Sequence, residues 1–92
     1  MKVFAWGREK TEWLCSQRGV SFERVVLRIE QGGLLDVVRH PNRGRYPDQK
    51  MFIVEVDDYA WLVRFVESET EVFLKTAIPS RKATRRYLRG PS

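Results

Sequence analysis

The chain has 92 residues, 42% of them hydrophobic and including three Trp, three Tyr and five Phe, which is enough for one domain with a core of its own. Seventeen Lys and Arg against twelve Asp and Glu give a net charge of +5, which favours a polyanion or an acidic protein as partner. Because Cys15 is the only cysteine, we exclude an intrachain disulfide and a cysteine-built zinc site. Because no run approaches the roughly 20 apolar residues of a membrane span, we expect a soluble protein of the cytoplasm.

The first third of the chain predicts a short extended segment and two helices. Val3 to Trp6 is a strand or an extended lead-in. A helix follows over Arg8–Arg18, and Gly19 is placed as the left-handed residue that ends it. Ser21 is placed to cap a second helix, whose apolar residues recur at helical spacing until Gly32.

The rest of the chain predicts a meander of strands and a last helix. LLDVVRH is a strand, and the long loop HPNRGRYPDQK after it is a candidate functional segment. The strands MFIVEV, AWLVRFVE and EVFLKTAI follow, separated by turns at Asp57–Asp58 and at 68–70. Pro79 ends the last strand, and Ser80 is placed to cap a short basic helix. Helices followed by strands indicate an α+β fold with a twisted antiparallel sheet of about four strands.

Alternation along these strands divides their side chains between two faces of the sheet. One face should carry the N-terminal helices because it is almost wholly apolar, and it comprises Phe52, Val54, Val56, Trp61, Val63, Phe65, Val72, Leu74, Thr76 and Ile78. The second face mixes bulky apolar groups with Glu55, Arg64 and Lys75. We expect this second face to be open or half-covered.

These three charged residues of the second face meet at mid-sheet if the turns have simple registers. A last hairpin closing at Glu69–Thr70 places Arg64 directly opposite Lys75. A preceding turn centred on Asp58–Tyr59 places Glu55 diagonal to Arg64. Like charges directly opposite each other are unfavourable, which indicates an anion between them. The alternative is an ordinary cross-strand ion pair between Glu55 and Arg64.

Further candidates lie in the long loop and in the last helix. His40, the only histidine, has the pKa range of a general base, or it is an ordinary loop residue. Tyr46 and Tyr87 either stack on nucleobases or simply pack. The cations of the last helix suit phosphates, although a solvated face or a patch for an acidic partner has the same composition; they are Arg81, Lys82, Arg85, Arg86 and Arg89. Phosphate-binding loops, metal-ligand spacings and Ser/His/Asp signatures are missing from the sequence.

Three segments of the chain resemble the BrnT toxins of bacterial toxin–antitoxin systems. They are the opening FAWGREK, the GVSFERV between the two helices, and the tail IPSRKATRRY, which is similar to the ISARKATRRE-type ending of that family. The resemblance implies a RelE-like fold, a ribonuclease activity that arrests growth without metal or other cofactor, and a cognate antitoxin, acidic and helical, encoded adjacently. Gly7 stands where the family usually has Asp, and Thr76 stands where many members have an arginine.

The implied reaction assigns roles to the candidate residues. Metal-free RNA cleavage needs a deprotonated 2′-hydroxyl, stabilisation of the growing phosphate charge, and a proton for the leaving 5′-oxygen. The predicted catalytic residues are Arg64, Lys75, Arg81, Glu55 and His40. The predicted RNA-binding residues are Lys82, Arg85, Tyr87, Arg43 and Arg45.

Two other functions fit the same sequence. One is a non-catalytic module of this fold that binds nucleic acid or an antitoxin, and the other is a protein-interaction module with a basic surface. Analogy with the RelE-like group adds that cleavage, of mRNA in particular, takes place on or near the ribosome.

Overall fold

A mixed five-stranded sheet forms the centre of the protein, and helices lie on both of its faces. The computed structural model describes residues 2–39, 44–45 and 50–89. Its elements in chain order are β1 (Val3–Trp6), α1 (Arg8–Arg18), α2 (Phe22–Glu30), β2 (Leu34–Arg39), β3 (Lys50–Val56), β4 (Tyr59–Glu67), β5 (Glu71–Pro79) and α3 (Arg81–Thr84), which continues as a π-helical turn (Arg85–Arg89). In the described ranges no helix is long and apolar enough to cross a membrane.

The strand order is β1-β5-β4-β3-β2. The pairs β2–β3, β3–β4 and β4–β5 are antiparallel, whereas β1 pairs with β5 in parallel. The α+β class predicted from the sequence is confirmed. The sheet has five strands and is mixed, whereas about four antiparallel strands were predicted, because Val3–Trp6 joins the sheet as a strand instead of leading into the first helix.

The two N-terminal helices begin and end where the sequence predicts. Gly19 ends α1 in the left-handed region, with φ of 71°, and its N–H donates to the carbonyl of Cys15. Ser21 caps α2 by accepting from the N–H of Arg24 at 3.1 Å. Thr11 links the helices, because its buried hydroxyl accepts from the N–H of Phe22 at 2.9 Å and donates to Glu23 at 3.0 Å.

The main core lies between these helices and the first face of the sheet. Leu14 and Val20 from the α1 region and Phe22 and Val25 from α2 pack there at 4% exposure or less. The strand residues of this core are Phe52, Val54, Val56, Trp61, Val63, Phe65, Val72, Leu74 and Ala77. The sequence therefore identifies the helix-bearing face of the sheet, with one exception near the end of β5.

That exception is a β-bulge at Lys75. Arg64 pairs with Thr76, and Phe65 pairs with Leu74, so Lys75 has no residue opposite it. The extra residue inverts the alternation beyond it, so that Ala77 enters the main core while Thr76 lies opposite Arg64 on the second face. The predicted register, with Arg64 opposite Lys75, is wrong for this reason.

A smaller cluster forms between the second face and α3. Its buried members are Ile53, Ala60 and Ala83, and its partly buried members are Leu35, Val38, Leu62, Tyr87 and Leu88. Ser80 caps α3 as predicted, accepting from the N–H of Ala83 at 3.0 Å. The second face is therefore half-covered, and the C-terminal helix is the element that covers it.

Candidate functional site

The structure separates the three charged residues that the sequence placed together at mid-sheet. Arg64 lies opposite Met51 on β3 and Thr76 on β5. Lys75 is exposed at the bulge, and its Nζ lies 5.3 Å from the centre of the Phe73 ring. The β3–β4 turn is formed by Asp57–Asp58, so Glu55 pairs with Ala60, at the turn end of the sheet. The predicted convergence of Glu55, Arg64 and Lys75 is therefore wrong.

Glu55 is occupied in holding the β3–β4 turn. One carboxylate oxygen forms an ion pair with the Arg28 guanidinium, and the other accepts from the N–H of Asp58 at 2.7 Å. Arg28 also donates from Nε to the carbonyl oxygen of Glu55 at 3.1 Å. The N–H of Asp58 and then the Arg28 guanidinium lower the pKa of Glu55 below its usual value of 4.5. A carboxylate held in its charged form by these donors is a poor proton acceptor at neutral pH.

A cleft opens on the second face between the sheet and α3, with a volume of about 320 Å³. Its floor is apolar and its rim is cationic. Strand side chains make the floor, and they are Val38, Met51, Ile53 and Leu62. The helix side of the cleft is lined by Ser80, Lys82, Ala83, Arg86 and Tyr87. Arg64 lies beside this cleft on the same face, because its cross-strand partner Met51 lines the floor.

A hydrogen bond between Tyr87 and Asp36 fixes the helix over this cleft. The Tyr87 hydroxyl donates to a carboxylate oxygen of Asp36 on β2 at 2.6 Å. This bond, followed by one from the N–H of Val37, lowers the pKa of Asp36, and the Asp36 carboxylate raises the pKa of Tyr87 above 10.0. The sequence did not identify Asp36, because nothing local to β2 shows that a tyrosine 51 positions later will reach it.

A basic groove lies on the other flank of the same helix. It has a volume of about 300 Å³ and is lined by Tyr59, Arg81, Thr84, Arg85 and Arg89. Arg89 Nη1 lies 3.6 Å from Oδ2 of Asp58. Helical geometry therefore divides the predicted cations, since Arg81 and Arg85 belong to this basic groove, whereas Lys82 and Arg86 belong to the cleft. Tyr59 is a member that the sequence did not indicate.

The remaining candidates are the residues of the long loop and Tyr87 of the last helix. Arg45 is described and exposed. His40, Arg43 and Tyr46 lie outside the described residues, and their roles stay predictions. Tyr87, predicted to bind RNA, lies in the cleft with its hydroxyl on Asp36.

The chemistry that this arrangement offers is recognition of a phosphate beside an apolar surface. Guanidinium and ammonium groups at the rim bind phosphate oxygens, and the floor accepts a flat apolar group such as a base. The carboxylates of Asp36, bonded to Tyr87 of the cleft, and of Glu55, in the β3–β4 turn, both accept hydrogen bonds that favour their charged forms. Comparison with protein-family models, with curated proteins and with solved structures gives no match to this chain.

Proposed function

We propose that the protein is a BrnT-like toxin of RelE-like fold, a metal-independent ribonuclease of the cytoplasm that arrests growth by cleaving RNA. Two lines of reasoning support this proposal. The segments FAWGREK, GVSFERV and IPSRKATRRY resemble that toxin family. The last of these segments forms the Ser80-capped helix whose cations line the cleft and the basic groove. A cognate antitoxin, acidic and helical, is the partner proposed to inhibit the toxin.

The cleft is the observation that carries the proposal. Single-stranded RNA is bound by surfaces that combine cations for the phosphates with apolar or aromatic groups for the unstacked bases. The floor formed by Met51, Ile53 and Leu62, with Lys82 and Arg86 above it, has this combination. Lys82 and Arg86 are exposed, and they differ from the cations of an ordinary solvated helix face in lining a cleft with a row of apolar strand residues.

Within this cleft, charge stabilisation is the step that the described residues support best. Cleavage through the 2′-hydroxyl builds negative charge on the phosphate, and preorganised cations stabilise that charge. Among the described cations, Lys82 and Arg86 line the cleft and Arg64 lies beside it. Arg81 lines the basic groove and Lys75 lies at the bulge of β5; neither is among the described residues that line the cleft, so we assign neither to the phosphate under attack. For proton transfer we keep the prediction of His40, which lies outside the described residues, in preference to Glu55, because imidazole is the usual general base near neutral pH and the Glu55 carboxylate is held in its charged form.

Induced expression in a bacterial host tests this function. We expect the wild type to stop growth and to cause decay of total RNA, and we expect Arg64→Ala and Arg86→Gln to restore growth as soluble proteins. Arg24→Gln is the matched control, because Arg24 is an exposed cation of α2 that pairs with Asp57, away from the cleft. Normal growth and intact RNA at high wild-type expression would contradict the proposal.

A non-catalytic module that binds RNA or an antitoxin is the second candidate. It is favoured because no carboxylate is among the described residues that line the cleft, and because Asp36, bonded to Tyr87 of the cleft, is held in its charged form. Purified protein that binds RNA in a salt-sensitive manner without cleaving it would establish this second function over the first.

A further inference from the structure

The basic groove is held in place by hydrogen bonds that Ser80, the cap of α3, and Thr84, its last residue, make with β4 and with each other. Thr84, 3% exposed, accepts from the N–H of Ala60 at 2.8 Å and donates to the carbonyl of Ser80 at 2.7 Å. The N–H of Ser80 donates to the carbonyl of Ala60 at 2.9 Å. These bonds tie the helix to β4, so the arginines on its flank project from a fixed backbone and are preorganised for a ligand.

Three arginines follow each other at four-residue intervals along this flank. In the described part of the chain, Arg81 and Arg85 have neither an ion pair nor a hydrogen-bond acceptor, and Arg89 has the exposed Asp58 at 3.6 Å. Like charges four residues apart destabilise a helix by about 0.2–0.5 kcal/mol per pair. An anion bound across the row would remove this repulsion.

The composition of the basic groove selects RNA over an acidic protein segment. The core of a protein interface is mostly apolar, whereas the lining of this groove is guanidinium groups, one hydroxyl and the Tyr59 ring, with no aliphatic side chain among them. Guanidinium groups bind phosphate oxygens in pairs, and an aromatic ring beside them accepts a base or sugar. Residues four apart along an α-helix are separated by about 6 Å along its axis, so Arg81 and Arg85 can meet successive phosphates of one strand, and Arg89 continues the row in the π-helical turn.

We propose that Arg81, Arg85, Arg89 and Tyr59 form a second RNA subsite, which binds the backbone of a single strand after it has crossed α3 from the cleft. This inference rests on the proposed function, because that function places the RNA strand in the cleft before it crosses α3 to the subsite. Arg81, predicted from the sequence to be catalytic, is then a binding residue. The subsite contributes affinity for longer RNA and leaves the cleavage step to the cleft.

Arg85 and Arg86 provide the test, because they are adjacent exposed arginines on opposite flanks of one helix. Binding of uncleavable 2′-O-methyl RNA is measured by calorimetry, with one strand of about 12 nucleotides and a trinucleotide that fills the cleft alone. We expect Arg85→Gln to lower the affinity for the long strand about tenfold and to leave the affinity for the trinucleotide unchanged. The slope of log affinity against log salt concentration should fall by about 0.7 for the long strand. Arg86→Gln should weaken both strands, and Arg24→Gln neither.

Several results would overturn the subsite. They are unchanged affinity of Arg85→Gln for the long strand, an equal loss of affinity for both strands, or no binding of either strand by the wild type. The subsite would also be overturned if Arg85→Gln lost binding to a poly-glutamate peptide and kept its binding to RNA, which would assign the basic groove to a protein. Long-strand binding that depends on Arg85, in a protein that cleaves no RNA, would refute the proposed ribonuclease and support the subsite.

Discussion

Thr84→Val replaces a buried hydroxyl with a methyl group of similar shape and thereby tests what holds α3 on the sheet. The hydroxyl makes two hydrogen bonds, one from the N–H of Ala60 at 2.8 Å and one to the carbonyl of Ser80 at 2.7 Å. Ala60 is fully buried, so in the variant its N–H loses its partner without gaining water. An unsatisfied buried donor costs about 1–3 kcal/mol, and the lost second bond adds about 1 kcal/mol.

We therefore expect the free energy of unfolding to fall by about 2–4 kcal/mol. The total free energy of unfolding of a 92-residue domain is roughly 5–14 kcal/mol, so this loss is large and the Tm should fall by about 10 °C or more. Urea unfolding followed by tryptophan fluorescence measures it. Thr84→Ser is the control, because it keeps the hydroxyl and should cost about 1 kcal/mol. If the valine variant were as stable as the serine variant, the bonds between Thr84 and β4 would not anchor the helix.

Two further predictions concern the β3–β4 turn. Since hydrogen bonds and Arg28 lower the folded pKa of Glu55, its carboxylate stabilises the protein above the usual value of 4.5, and this contribution is lost as the pH falls through the folded pKa. Glu55→Gln should therefore lower the urea midpoint near neutral pH, and its difference from the wild type should shrink as the pH falls below 4.5, while the exposed control Glu12→Gln has no such effect; equal midpoints at neutral pH would contradict it. Asp58 has φ of 65°, in the left-handed region that favours glycine. Asp58→Gly should therefore raise the free energy of unfolding by about 0.5 kcal/mol, and Asp58→Ala should lower it. The opposite order of stabilities would show that the backbone conformation at this position does not determine the stability of the turn.

Local signals in the sequence were sufficient for the helices and for the first face of the sheet. Gly19, Ser21 and Ser80 act through bonds to residues within four positions, so their roles are visible in the sequence. The bulge at Lys75 is different, because one extra residue in β5 is recognised only against its partner strand. Its consequence was the wrong placement of Lys75 beside Arg64.

The candidate site was predictable as a set of residue types and not as an arrangement. The sequence concentrates cations in the last helix, but it does not show which flank each cation takes until the helix is docked on β4 through Thr84. Asp36 and Tyr59 escaped notice for the same reason. Their neighbours in the site come from elements distant in sequence, and no short-range spacing records such contacts.

The parallel pairing of β1 with β5 has a consequence for the order in which the protein acquires its structure. The other pairings of the sheet join strands that follow each other along the chain, as β3, β4 and β5 do, whereas β1 and β5 are separated by both N-terminal helices and three strands. Contacts between distant segments carry the largest loop-closure entropy, so we expect hairpins of neighbouring strands to form early and β1 to be added late. Arg18 at the end of α1 then donates to the carbonyl of Ala77 at 2.6 Å, beyond the last residue that β1 reaches on β5. Docking of the β1–α1 segment therefore completes both the sheet and the main core, and a folding intermediate that lacks it would expose the edge of β5 to pairing with another chain.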